Sequence, residues 1–366
     1  MPQVQQPAAR PATAAGRRRV VVLISVVVIV VLVVGSLGLF VSNLASGRLP
    51  SGIFKPSIST FPSKVFKPTY MASGTDGNLW FTSTDDDAIG KITQSGSVTK
   101  LNLSKMSSRS ITAGRDGNMW FIAGPRDLTG FQIGRVTPKG QTTFWPLPAG
   151  SLPGDLAAGS DGNLWFTDTA RHYGPDPGDK GVPENKIGRV TMDGVTTEFA
   201  LPTPDGDPNG ITPGPDGAMW FTESRKIGRI DPLGSIREFA LPAGSSSGQI
   251  TLGPDGALWF TSGSDRDARI GRITPAGSVT QFSLPPCEQV CNRSLRGITG
   301  GPDGNVWFSE SKGYGEGNVW SISPKGSLTS FAVNGWASGI TTGADGNVWF
   351  TEELEDTIAR VNIKTR

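Results

Sequence analysis

The chain has 366 residues, with 34 basic and 32 acidic side chains, a single histidine, two cysteines, 49 glycines and ten tryptophans. Charge this evenly balanced leaves no electrostatic footprint for nucleic acid. No histidine or second cysteine pair accompanies Cys287 and Cys291, so a zinc site is not expected there.

Residues 1–19 hold four arginines, no acid and many Ala, Pro and Gln. That composition cannot bury a core and reads as a disordered tail, expected on the cytoplasmic side. Removing it leaves 30 basic against 32 acidic residues. Val20 to Val41 follows, 22 residues without charge or proline. As a helix it would be about 33 Å long, enough to cross a hydrocarbon core of about 30 Å. A cleaved signal peptide is the competing reading. Its apolar stretch is normally shorter, about 7–15 residues, so an uncleaved transmembrane anchor is preferred. Residues 42–57, rich in Ser, Gly and Pro, read as a linker. The expectation is a single-pass membrane protein whose remaining residues, 58–366, lie outside the cytoplasm.

From Gly74 onward one phrase returns seven times, as in Gly301-Pro-Asp-Gly-Asn-Val-Trp-Phe308. Its tryptophans, Trp80, Trp120, Trp165, Trp220, Trp259, Trp307 and Trp349, are spaced by 39 to 55 residues. That period signals a solenoid, propeller or array. The most compact copy shows the unit. Gly210–Pro213 is a short strand, and Gly214-Pro-Asp-Gly217 is a turn. Ala218–Glu223, Lys226–Ile230 and Ser235–Ala240 are three more strands, and no stretch carries a helical period. Four short antiparallel strands per repeat make the blade of a β-propeller. The last copy stops after its third strand, while Ser59–Phe66 is a strand with no repeat of its own. The fold class expected is all-β: a seven-bladed β-propeller of four-stranded antiparallel blades, closed by its N-terminal strand and preceded by one transmembrane helix. The repeated Trp-Phe pairs are expected to pack between blades, and the repeated aspartates to serve the turns.

The phrases Gly301–Glu310, Asn185–Pro202 and Lys226–Pro242 resemble the virginiamycin B lyase (streptogramin lyase) family, and the resemblance extends over about residues 57–366. It implies a seven-bladed propeller. It also implies an enzyme that opens the ester ring of type B streptogramins by magnesium-assisted elimination, with a histidine as general base and a glutamate helping to hold the metal. In this chain Glu310 matches that glutamate, and Arg296 stands where the histidine belongs. A guanidinium is always charged and cannot accept a proton. The lone histidine, His172, falls in an insertion of the third repeat, where a solvated residue is expected and a base reaching across the mouth is the alternative.

Asp85, Asp86 and Asp87 lack the alternating ligand frame of a calcium loop and read as a solvated turn. Cys287 and Cys291 are expected to form a local disulfide outside the cytoplasm. Around the channel mouth the starts of the first strands place Tyr70, Arg109, Asp155, Asn209, Gln249, Arg296 and Trp336. That set suits a small polar or anionic ligand, or a protein. The expected function is therefore a membrane-anchored propeller acting as a binding or interaction module. The alternative is a magnesium-dependent lyase or hydrolase of cyclic esters or lactones.

Overall fold

The computed structural model describes residues 57–127, 130–169, 171–172, 182–286 and 292–363. The tail, the apolar segment Val20–Val41 and nearly all of the linker lie outside these residues, as do Cys287 and Cys291. No helix among the described residues is long and apolar enough to cross a membrane.

The described residues form seven four-stranded antiparallel sheets, one per repeat, with first strands neighbouring one another around the centre. Blade 1 contains Tyr70–Ser73, Leu79–Thr82, Ala88–Ile92 and Val98–Asn102, running outward in sequence order. Blades 2 to 6 repeat this arrangement, ending with the outer strand Leu328–Asn334 of blade 6. Blade 7 has three strands from the C-terminal end, Ala337–Thr342, Val348–Glu352 and Thr357–Asn362. Its fourth is Ser57–Pro62, paired antiparallel from Ser57 opposite Asn362 to Pro62 opposite Thr357. The ring therefore closes as the unpaired ends of the repeat pattern require.

Each repeated phrase has a mechanical reading. The second strand of every blade buries a Trp and a Phe almost completely, each contributing on the order of 2–3 kcal/mol by burial. The indole NH of each tryptophan donates to the turn aspartate four residues earlier, for example Trp259 to Asp255 at 2.9 Å and Trp307 to Asp303 at 3.0 Å. The arginine of the Ile-Gly-Arg phrase lies over the same ring and reaches the same acid. Arg272 stacks 5.8 Å from the Trp259 centroid and bonds Asp255 at 2.7 Å. In blade 4 the glycine of that phrase makes room for the ring, because a Cβ on Gly228 would sit 2.1 Å from the Phe221 ring. Outer-strand aromatics stack on the tryptophans, and Phe61 of the N-terminal strand does this for Trp349 at 5.5 Å. Gly96 in blade 1, at φ +88°, lies flat against that same Phe61, locking the first blade to the last.

Asp85, Asp86 and Asp87 lie on a bend, none of them buried, as expected of a solvated turn, and each pairs there with a different cation: Lys67, Lys100 and Arg126 respectively. These come from the segment entering blade 1, its outer strand, and blade 2, so the acids fasten three segments. Their exposure limits each pair to about 0–1 kcal/mol.

Candidate functional site

The mouth is built by the segments that start the inner strands. In blades 2, 3, 6 and 7 a register shift interrupts the inner strand just before its aliphatic residue, as between Leu295 and Ile298 and between Ala337 and Ile340. Such bulges re-aim side chains, and here they turn Arg109, Asp155, Arg296 and Ser338 out of the pleat. The second strands then sew the mouth together. Thr167, Thr222, Ser309 and Thr351 each donate a hydroxyl to a mouth carbonyl of the next blade: Asn209, Gly248, Ser338 and Thr69. Each also accepts an amide from its own blade, as Gly339 N to Thr351 Oγ1 at 2.9 Å. Blade 2 has Ile122 in this position. There the stitching passes to Asp155, which accepts from Ser110 Oγ at 2.5 Å, Leu156 N at 2.9 Å and Ile211 N at 3.1 Å.

Two contiguous cavities lie on the axis. The outer one, about 270 Å³, is lined by Tyr70, Asn209, Gln249, Arg296 and Ser338, among others. The inner one, about 420 Å³, shares Tyr70, Gln249, Gly297 and Gly339 with it and adds Asp155. Gln249 donates to Asn209 at 3.0 Å, tying two of the mouth amides together. Arg296 Nε contacts Ser311 Oγ at 3.3 Å, which fixes the root of the guanidinium. Burial pushes the Tyr70 hydroxyl up, and Asp155 adds to this while Arg109 and Arg296 oppose it. Tyr70 thus shares one electrostatic field with two cations and two carboxyls, the second being Glu353. Burial also raises Asp155, outweighing the three donors that favour its charged form.

Of the expected mouth residues, Tyr70, Asn209, Gln249 and Arg296 meet in the outer cavity, and Asp155 lies just below. Arg109 and Trp336 line neither. Arg109 packs its guanidinium over Phe131 at 5.0 Å. Trp336 turns its indole to the Lys312 carbonyl at 2.8 Å, and Ser338, beyond the bulge, takes the mouth position instead. His172 sits on a two-stranded ribbon, Arg171–His172 with Val182–Pro183, inserted in blade 3.

Glu310 is inside its second strand, Val306–Lys312, fully buried, and lines neither cavity. Arg293, itself 5 % exposed, forms an ion pair through Nε with Glu310 Oε1. Asn318 Nδ2 and Trp320 Nε1 donate to Oε2, at 2.6 and 2.7 Å. Arg293 also donates to the Pro285 carbonyl at 3.0 Å. Oε2 of Glu310 is thus taken by two protein donors, while Oε1 is ion-paired with Arg293 without a well-aligned hydrogen bond. The fit to a magnesium ion fails, because the Arg293 cation already stands against Oε1, Oε2 is committed to Asn318 and Trp320, and the acid lines neither cavity. None of Arg293, Asn318 or Trp320 had been singled out from sequence. A readable sign existed: Trp320 stands opposite Phe308 where five other blades place glycine.

Glu223, the equivalent residue of blade 4, is different again. It is 1 % exposed, and neither carboxyl oxygen has a hydrogen-bond partner. Lys226 lies opposite it in register but is engaged by Glu238 and Thr203. Burial, with the charge of Glu238 added, pushes Glu223 up to about 7.

The profile of the Virginiamycin B lyase family matches residues 46–173 and 181–366. Among proteins of curated function, none matches the chain. Two solved structures, a streptogramin B lyase and the virginiamycin B lyase of Staphylococcus aureus, are each 28 % identical with a TM-score of 0.70. The first match covers 84 % of this chain and 98 % of the other; the second covers 85 % and 100 %. The Staphylococcus aureus enzyme has also been solved with quinupristin as a catalytically inactive histidine-to-alanine variant, again at 28 % identity. The extracellular domain of the putative one component system BT4673 from B. thetaiotaomicron shares the fold, at 13 % identity and a TM-score of 0.61. That match covers 85 % of this chain and 44 % of the other.

Proposed function

The chain belongs to the virginiamycin B lyase family, and from that premise we propose that it is a binding member, taking a small anionic ligand at the propeller mouth rather than opening a cyclic ester. One observation carries the reading: Arg296 lines the outer cavity where the resemblance places a proton-accepting histidine. A guanidinium there can hold a carboxylate or sulfate through paired N–H donors. It cannot remove a proton from carbon, a step for which a well-placed base supplies about 10²- to 10⁴-fold. The occupation of Glu310 by Arg293 supports the same reading from the metal side. The apolar run Val20–Val41 supports a membrane tether that presents the mouth outside the cytoplasm.

The test has two arms on the purified chain. Titration with a panel of small carboxylates and sulfates should show binding that is lost in Arg296→Gln. Incubation with a type B streptogramin and magnesium should leave the ring closed by mass spectrometry. Magnesium-dependent opening by the unaltered chain would replace this reading with that of an active lyase whose base lies elsewhere, His172 being the first residue to substitute.

A further inference from the structure

The two axial cavities carry one charged side chain each. Arg296 lines the outer one and Asp155 the inner one, and every other lining residue is neutral. Neither has an ion-pair partner among the described residues, in contrast to Glu310, which Arg293 neutralises. Arg296 is held only at its root, by Ser311, so its terminal nitrogens stay unengaged. Asp155 accepts from Ser110 and Leu156 at Oδ1, but Oδ2 receives the Ile211 amide alone. A carboxylate at this depth is costly to charge without a counter-ion. Hydroxyl-bearing Thr112, Thr212, Thr299 and Thr341 also line the inner cavity, so its wall offers oxygen rather than further charge. Tyr70 and Gln249 border both cavities. The Tyr70 hydroxyl has no hydrogen-bond partner among the described residues. Gln249 spends its Nε2 on Asn209, which leaves Oε1 as an acceptor at the junction. Arg109 and Glu353 also act on the Tyr70 hydroxyl but line neither cavity.

We propose that the ligand of this site is a small zwitterion, an amino carboxylate whose anionic end meets Arg296 in the outer cavity and whose ammonium end meets Asp155 in the inner one. The inference rests on the anion-binding reading of the mouth and adds the second charge. Charge balance selects it. An anion alone would satisfy Arg296, leave Asp155 without a counter-ion and bring a second negative charge into the same channel. A cation alone would do the reverse at Arg296. A zwitterion neutralises both residues and adds no net charge to a confined site, where charges are screened least. An ammonium group brings three donors, and Asp155 Oδ2, Gln249 Oε1 and the Tyr70 hydroxyl are acceptors bordering its path. Because Arg296 and Asp155 line successive cavities, the separation of the ligand's two charges is itself a determinant of fit. Cavities of about 270 and 420 Å³ suit a molecule of metabolite size and no folded partner.

The experiment pairs each amino carboxylate with the alkanoate of equal length: glycine with acetate, 4-aminobutyrate with butyrate, and 6-aminohexanoate with hexanoate. All are titrated calorimetrically into the full-length protein. The expected result is that at least one amino member binds about tenfold or more tighter than its partner, as a hydrogen bond between charged groups contributes. Arg296→Gln should abolish binding of both kinds. Asp155→Asn should remove the advantage of the amino group while the alkanoates bind at least as well as before, which also reports a folded mouth. If that variant does not fold, Gln249→Met takes its place. It leaves the donors to Asp155 untouched and should cut the advantage about threefold or more. Alkanoates that bind through Arg296 as tightly as every amino partner overturn the zwitterion and leave the anion site intact. An amino advantage that survives Asp155→Asn, or is kept in full by Gln249→Met, overturns it too, because the ammonium would then be held elsewhere. Failure of all the carboxylates to bind sinks both this proposal and the anion reading on which it stands.

Discussion

Arg293 and Glu310 are ion-paired at the one place in the ring where the family resemblance expects a metal. Both are almost removed from solvent, so neither charge could stand without the other. A buried pair is a poor source of net stability, but breaking one typically costs about 3–5 kcal/mol, because the survivor is left uncompensated. We expect Arg293→Met to lower the unfolding free energy by that amount. The double variant Arg293→Met, Glu310→Gln should recover most of it, since Asn318 and Trp320 can still serve a neutral amide oxygen. Urea unfolding of the two single variants and the double variant measures the coupling.

Restoring the family's histidine should not restore its chemistry. Arg296→His supplies a proton acceptor at the mouth, but Glu310 still faces Arg293 instead of an ion. The expected outcome is no magnesium-dependent opening of quinupristin above the buffer rate, followed by mass spectrometry. Turnover in this variant would show that the guanidinium at Glu310 is displaceable.

Blade 4 predicts a pH dependence. In the folded chain Glu223 holds its proton up to about 7, against 4.5 for an unburied glutamate. The folded state therefore binds this proton more tightly than the unfolded state does. Its contribution to stability is greatest below pH 4.5, declines as pH rises from 4.5 to 7, and is flat above. Glu223→Gln removes the decline. The variant should gain on the unaltered chain between pH 5 and pH 8 in urea midpoint, whereas a constant difference across that range would mean the carboxyl ionises freely.

The ring seam is testable through one aromatic. Phe61→Ala removes the ring stacked on Trp349 and packed against Gly96, a loss of about 2 kcal/mol. Deleting the strand through Pro62 exposes the edge Thr357–Asn362 and should drive association. Light scattering during thermal unfolding separates the two: a lowered midpoint without aggregation for the substitution, aggregation at lower temperature for the deletion.

The propeller was readable because its repeats carry their own instructions. The Gly-x-Asp-Gly turn and the Trp-Phe pair each satisfy a local need, so period alone located the blades, and the missing fourth strand of blade 7 announced closure by an N-terminal strand, expected at Ser59–Phe66 and found at Ser57–Pro62. The mouth was only partly readable. The spacing that sets Arg296 before Trp307 leads in blade 7 to Ser338, and the two blades share the same bulge. Trp336 lies further back along the chain, and its indole is held by the Lys312 carbonyl instead. The clamp on Glu310 was harder still. Arg293 lies in the segment leading into blade 6, outside any repeated phrase, and its meeting with Glu310 depends on how that segment folds back over the blade. Trp320 alone advertised the anomaly, by occupying the lane that glycine keeps empty beneath the phenylalanine in five other blades.

The seam between Ser57–Pro62 and Thr357–Asn362 also sets the order in which the molecule can come into being. Six blades are self-contained stretches of chain and can assemble as they emerge from the ribosome. The seventh cannot, since its outermost strand precedes all six in sequence and the partner of that strand follows them. Until the partner is made the early strand must wait unpaired, and an arc that lacks it has an open edge at each end. The joining of the earliest strand of the ring to the latest is thus the step that removes both edges at once.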